Sequence, residues 1–190
     1  MRKKLGCFSL LILSTLVIIP VAADYTIDQQ CVVHGEYPAV SKDPDAPTWQ
    51  SFTTGESVNN INRVGLMLRG DPSVFYQLNC YVNDNPDLET PVAFSPLLYE
   101  GTGELDADVM FDFKPAPISP STTYYIVLFE NMASDQAISI AQDQANNYSE
   151  GRADTNENGD YCFLTYYDST YEGPESSESS ESANSLNVAK

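Results

Sequence analysis

The stretch Leu105–Phe113, with the sequence LDADVMFDF, carries an apolar side chain at every odd position and an aspartate or methionine at every even one. A period of two is that of a β-strand, in which successive side chains point to opposite faces of the sheet. This segment is therefore predicted to be a strand with one face on an apolar core and one largely acidic face in solvent.

The same pattern extends outward from this segment in both directions. The run 122–129, TTYYIVLF, is β-branched and aromatic throughout, as expected of a central strand buried on both faces. Further strands are predicted near Cys31 and over residues 49–53, 64–68, 74–82, 137–141 and 161–167. Turn-forming residues separate these runs, and prolines exclude long helices between 86 and 120. About eight short strands predict an all-β fold, an antiparallel two-sheet β-sandwich that is jelly-roll-like.

The two ends of the chain differ in composition from this central part. Residues 1–23 combine a basic start, an apolar run and the small residues Ala22 and Ala23, which predicts a signal peptide cleaved after Ala23; a retained membrane anchor is the alternative. The domain would span 24–171, with no integral membrane segment after cleavage. Residues 172–190 are rich in Ser and Glu and predict a disordered tail, either a plain acidic tail or a spacer. The expected location is extracellular, either free or attached to the cell surface.

The charge balance restricts the class of partner. The chain has 9 Lys and Arg against 27 Asp and Glu, a net charge of -18. Nucleic acid and anionic membrane surfaces are not expected to bind, because both require clustered basic residues. Such acidity suits divalent cations, a basic partner or solubility in high salt, and an acidic, solvated surface is the simplest interpretation.

One loop predicts a cation site. Residues 154–160, DTNENGD, fit the first half of a calcium-binding loop, with Asp154, Asn156, Asn158 and Asp160 as candidate ligands. The twelfth position falls on Thr165, where a glutamate belongs, so this is not a complete EF-hand. A distant carboxylate such as Asp143 would have to supply the missing oxygens of a structural Ca²⁺ site. The alternative is a polar hairpin turn, which Asn-Gly favours.

The mature chain would keep three cysteines, Cys31, Cys80 and Cys162, of which any two can pair in an oxidising compartment. We favour a disulfide between Cys31 and Cys162, joining the first and last strands. Cys80 alternates with the apolar residues of 74–82 and is expected in the core as a small hydrophobic residue. Asn147 begins an N-glycosylation sequon, which matters only if the source glycosylates exported proteins.

Two kinds of ligand chemistry have candidate residues. Tyrosines stack on sugar rings, and Tyr125, Tyr166 and Tyr167 are the candidates for a carbohydrate site; Trp49 is expected in the core instead. A carboxylate pair, Asp106 and Asp108, would be needed for the alternative function, a small secreted glycoside hydrolase. Triad chemistry would depend on His34, the only histidine, and we do not expect an enzyme.

Several segments, taken in order, resemble the choice-of-anchor R type of extracellular domain over roughly residues 32–167. They are Val33-His34-Gly35, Trp49-Gln50-Ser51-Phe52-Thr53, Ile61-Asn62-Arg63-Val64, Thr123-Tyr124-Tyr125-Ile126-Val127-Leu128, Gly151-Arg152-Ala153 and Phe163-Leu164-Thr165-Tyr166-Tyr167. The resemblance implies a β-sandwich on an exported bacterial or archaeal surface protein, and it implies no catalytic residues. The expected function is a non-catalytic surface module for adhesion, structure or carbohydrate recognition, whose partner is a glycan or another surface protein.

Overall fold

The computed structural model describes the β-domain and leaves both ends of the chain aside. Its described residues are 25–32, 35–88, 90–131, 136–145, 148–154 and 159–173, without the side chains of 106–108. The predicted signal peptide, the tail beyond Gly173, and His34, Asn147, Asn156 and Asn158 lie outside the described residues.

The described residues contain eleven strands, and all of the strand pairings are antiparallel. They are β1 (Tyr25–Cys31), β2 (Thr48–Thr53), β3 (Asn60–Arg69), β4 (Phe75–Asn83), β5 (Ala93–Glu100), β6 (Asp106–Pro117), β7 (Thr123–Glu130), β8 (Ser139–Ile140), β9 (Gln142–Asp143), β10 (Asp160–Tyr161) and β11 (Phe163–Asp168). A five-stranded sheet has the order β1-β11-β3-β6 with β8 on β3, a four-stranded sheet has the order β2-β7-β4-β5, and β9 and β10 form a short ribbon.

The order of the eight long strands is that of a jelly roll. Successive strands cross from one sheet to the other at every step except β4 to β5, which form a hairpin within the four-stranded sheet. The first strand, β1, pairs with the last, β11. The all-β, two-sheet prediction is confirmed, and no described segment forms a helix long and apolar enough to cross a bilayer.

Alternating side chains build the core between the two sheets. In β4, Tyr76, Leu78, Cys80 and Val82 are all 0% exposed, as the period-two pattern predicts. They face the buried residues of the opposite sheet, of which the largest are Ile61, Leu66, Leu68, Phe111 and Phe163. Cys80 is thus a core residue, as expected from the sequence.

The structure differs from the predicted strands in three places, and one is 137–141, where only Ser139–Ile140 forms a strand (β8) and β9 follows at Gln142–Asp143. Strand β5 was not predicted, because Pro96 interrupts its sequence; β5 lies at the sheet edge, where a missing N–H is tolerated. The predicted strand 161–167 divides at Cys162 into β10 and β11, since the Cys162 N–H bonds to Ala141 rather than to a strand partner.

Substituting two buried asparagines of β3 is expected to change the stability of the domain in opposite directions. Asn62 is 2% exposed, and neither polar atom of its amide has a hydrogen-bond partner within the described part of the chain. Asn60 is also buried, but its amide bonds to both the N–H and the carbonyl of Asp168 at 3.0 and 2.9 Å. We expect Asn62→Leu to raise the free energy of unfolding by about 1 kcal/mol, because it removes an unsatisfied amide from the core.

The matched substitution Asn60→Leu is expected to lower the free energy of unfolding by about 2 kcal/mol, because it leaves two backbone groups unpaired. Urea denaturation of the two variants and the wild type measures both effects. Destabilisation by Asn62→Leu would show that the Asn62 amide is satisfied after all.

Candidate functional site

A row of large side chains crosses the outer face of the four-stranded sheet. The strand register places Trp49 of β2 beside Val127 of β7, Val127 beside Tyr81 of β4, and Tyr81 beside Phe94 of β5. Adjacent strands are about 4.8 Å apart, so the row is about 14 Å long. These four residues are called the aromatic row below.

Two rings of the aromatic row, those of Tyr81 and Phe94, contact each other, and the Phe94 ring leaves part of its surface open. Tyr81 and Phe94 stack with ring centroids 4.8 Å apart and a 31° angle between the planes. Phe94 is 46% exposed, whereas Val127, in the centre of the row, is 0% exposed although it faces outward. The row therefore has an apolar surface of aromatic character that is most open at Phe94.

Amide side chains border the aromatic row on both sides. The register places Asn79 of β4 between Phe129 and Pro96 on one side, and Asn83 beside Tyr125 on the other. The Asn83 Nδ2 donates to the carbonyl of Asp87, while its buried Oδ1 has no hydrogen-bond partner among the described residues. Asn79 and Asn83 are 8% and 1% exposed, so both amides lie beside the rings with almost no surface open to solvent.

An irregular segment holds the end of the row that contains Trp49. Ser51 of β2 donates its N–H to the Arg152 carbonyl at 2.9 Å, and Arg152 donates its N–H to the Ser51 Oγ at 2.9 Å. This pairing brings the Arg152 guanidinium over the Trp49 ring, 5.5 Å from its centroid, while Tyr125 packs edge-on against the same ring at 5.4 Å. Trp49 is thereby fixed from two sides.

The three tyrosines predicted as sugar ligands do not come together. Tyr125 lies on the outer face of the four-stranded sheet beside the aromatic row. Tyr166 lies on the five-stranded sheet, edge-on to Tyr25 at 6.4 Å, and Tyr167 packs against the core. The expectation that Trp49 belongs to the core is wrong. Phe52 is 0% exposed, whereas Trp49 faces outward and is half-buried, because the two lie three positions apart along β2 and so point to opposite faces.

Sequence reasoning assigned none of the four members of the aromatic row to a site, since it placed Trp49 in the core, and it missed both bordering asparagines. Tyr81 alternates with the core residues of β4, so its outward orientation was available from the pattern. Phe94 lies on the unpredicted strand β5. The alignment of Trp49, Tyr81 and Phe94 in one row depends on strand order and register, which no local pattern contains.

Two of the four candidate calcium ligands, Asp154 and Asp160, are among the described residues. The Tyr161 hydroxyl donates to Asp154 Oδ1 at 2.5 Å, and Asp160 accepts from the Gln50 amide at 2.9 Å and from the Tyr148 N–H at 3.2 Å. Asp143 lies directly opposite Asp160 in the β9–β10 pair, and both are buried. Burial raises the pKa of Asp160.

The fit of these residues to a metal ion is incomplete. The structure places Asp143, the carboxylate named from the sequence as a source of the missing oxygens, next to Asp160 as its cross-strand partner. Within the described ranges, however, no group of three or more His, Cys, Asp or Glu side chains is placed to hold a metal ion. Asn156 and Asn158 lie outside those ranges, so a calcium site would depend on the loop 155–158 to complete it.

The described residues do not bring together a carboxylate pair for the glycoside hydrolase alternative. The side chains of Asp106 and Asp108 are outside the described structure. Asp112, on the same strand, is engaged by Arg63, whose Nε lies 2.6 Å from Asp112 Oδ1. That ion pair lies on the five-stranded sheet, and the same guanidinium stacks on Tyr25 at 3.6 Å.

Comparison with known proteins does not assign this chain to a family. The resemblance to choice-of-anchor domains is a prediction from the sequence, and the two comparisons gave the following results. A scan against models of protein families gives no match, and a search of curated proteins finds no relative.

Proposed function

We propose that this protein is an exported, non-catalytic jelly-roll module that binds neutral carbohydrate through the aromatic row. The observation that carries the proposal is the alignment of Trp49, Tyr81 and Phe94 across four strands, with Asn79 and Asn83 beside them. Aromatic faces stack on the apolar faces of sugar rings. The signal peptide predicted from the sequence and the resemblance to surface domains support export.

The charge of the protein favours a neutral glycan over other occupants of this surface. With a net charge of -18, the chain repels acidic glycans and a second copy of itself. A protein partner would be expected to meet a more continuous apolar patch, whereas here asparagines flank the rings. Ring stacking on Trp49 and Phe94 would carry the binding, since Asn79 and Asn83 are only 8% and 1% exposed.

We expect Trp49→Ala and Phe94→Ala each to weaken binding of a neutral oligosaccharide at least about tenfold, the equivalent of about 1.4 kcal/mol of ring stacking. An array of immobilised neutral oligosaccharides identifies a ligand, and titration calorimetry with that ligand measures the affinities. Phe75→Ala is the matched control, because Phe75 is 50% exposed on the same sheet but at the far end of β4, opposite Glu100.

The outcomes separate the possible occupants. Equal affinity of the Trp49, Phe94 and Phe75 variants would overturn the assignment of the site. A second outcome is that no neutral glycan binds, that the protein dimerises as its concentration rises, and that Phe94→Ala abolishes this dimerisation. The aromatic row would then be a self-association surface instead.

We also propose that Ca²⁺ stabilises the loop 154–160, with Asp143 and Asp160 as the buried carboxylates of the site. Two opposed, buried carboxylates repel each other, and a divalent cation would remove that repulsion. An ion that binds only the folded state raises the melting temperature as its concentration rises.

We expect millimolar Ca²⁺ to raise the melting temperature of the wild type and not that of Asp154→Ala. Differential scanning calorimetry with and without a chelator measures the shift. Asp45→Ala, at an exposed aspartate of the β1–β2 connection, is the control and should respond as the wild type does. An unchanged melting temperature of the wild type would leave the loop as an ordinary turn.

A further inference from the structure

The first and last strands of the sandwich bring two cysteines together. Cys31 ends β1 and is paired in register with Phe163, the neighbour of Cys162 in the chain. Both cysteines are buried, at 4% and 0% exposed. The thiols are in contact, and that contact together with burial raises the pKa of the Cys162 thiol.

The third cysteine of the domain is placed apart from this pair. Cys80 lies on β4 in the four-stranded sheet, while β1 and β11 belong to the five-stranded sheet. It is 0% exposed, and burial raises the pKa of its thiol as well. All three residues are thiols in the structure, and of the three pairings that the sequence allows, the fold places Cys31 and Cys162 in side-chain contact.

We propose that Cys31 and Cys162 form a disulfide in the exported protein and that Cys80 stays a thiol. The two thiols lose two protons and two electrons to a disulfide oxidant, which is reduced to two thiols by exchange through a mixed disulfide. Closure takes place during folding, since both sulfurs are inaccessible in the finished domain. The bond encloses strands β2 to β10 in one loop.

A disulfide between Cys31 and Cys162 would stabilise β1, the edge strand, which is otherwise free to fray. β1 is an edge strand, and its residues Tyr25 and Ile27 are 39% and 48% exposed, so it has few core contacts of its own. Tying its last residue to the neighbour of β11 keeps the terminal strand in register. A disulfide that closes a long loop also removes much of the entropy of the unfolded chain.

Counting thiols in the exported protein tests the pairing directly. The full chain is purified after export into an oxidising compartment, unfolded in urea without reductant, and treated with N-ethylmaleimide. We expect mass spectrometry to find the label on Cys80 and not on Cys31 or Cys162, and an unreduced digest to contain the linked peptides. Label on all three residues, or a crosslink that includes Cys80, overturns the proposal.

Thermal unfolding adds a readout that mere proximity of the thiols would not change. We expect prior reduction to lower the melting temperature of the wild type and of Cys80→Ser by about 10 °C. The double variant Cys31→Ser/Cys162→Ser should melt at the same temperature with and without reductant. A wild type that melts at the same temperature before and after reduction contradicts a stabilising disulfide.

Discussion

Replacing Gly151 by alanine is expected to lower the free energy of unfolding by about 3 kcal/mol, which would make it one of the most harmful small substitutions in the chain. A Cβ at this position would meet the Ser51 carbonyl oxygen closer than real Cβ atoms approach any atom, and would lie 2.8 Å from the Tyr148 ring. The obstacle is backbone, so the segment 151–153 would have to move away from β2. That movement would break the hydrogen bonds that connect Ser51 and Arg152.

Gly35→Ala is the matched control for this substitution. A Cβ at Gly35 meets no atom of the described residues within 4 Å, its chain neighbours aside, so we expect a change within about 0.5 kcal/mol. Urea denaturation gives both values. Since Arg152 lies over Trp49, Gly151→Ala should also weaken glycan binding if the aromatic row is the site. A Gly151→Ala protein as stable as Gly35→Ala would show that the segment can shift without loss.

The second large effect concerns a buried carboxylate at the end of β7. Glu130 is 1% exposed, and its only ion-pair partner among the described residues is Lys42, whose Nζ lies 3.5 Å from Oε1. Lys42→Met removes the partner and leaves a charge in the core, so we expect a loss of about 3 kcal/mol at neutral pH. Lys114→Met, at an exposed lysine of β6, is the control and should change stability little.

This loss should depend on pH in a defined direction. Burial raises the pKa of Glu130 above its ordinary value of 4.5, and Lys42 partly offsets the rise. A raised pKa in the folded state means that the folded protein holds the proton more tightly than the unfolded chain. The resulting stabilisation is fully present below the unfolded pKa and disappears as the pH rises through the folded pKa. Removing Lys42 raises the folded pKa further, so the deficit of Lys42→Met should shrink as the pH falls toward about 4.5.

Denaturation of wild type and Lys42→Met over a pH series measures this dependence. The double variant Lys42→Met/Glu130→Gln removes the buried charge and should recover most of the lost stability at neutral pH. A deficit that is the same at every pH would instead trace the loss to the hydrogen bond from Lys42 Nζ to the Gln136 carbonyl, which is 3.0 Å long.

Local patterns determined much of this fold before any contact was known. The alternation in 74–82 and 105–113 and the apolar run 122–129 predict strands that β4, β6 and β7 confirm. Alternation reports which face of a strand is buried, since successive side chains point in opposite directions. The number of such runs and the turns between them were enough to predict a two-sheet sandwich.

Strand order and register were decided only in the tertiary structure, and the candidate sites depend on both. Trp49, Tyr81 and Phe94 come from three strands that are distant in sequence, and they form a row because β2, β7, β4 and β5 lie side by side. In the same way, the pairing of β1 with β11 selects Cys162 as the neighbour of Cys31 and excludes Cys80. The sequence by itself determined which residues of β4 face the core, although it misplaced Trp49. Long-range hydrogen bonding between strands, which a local period cannot encode, decided which of the outward residues meet.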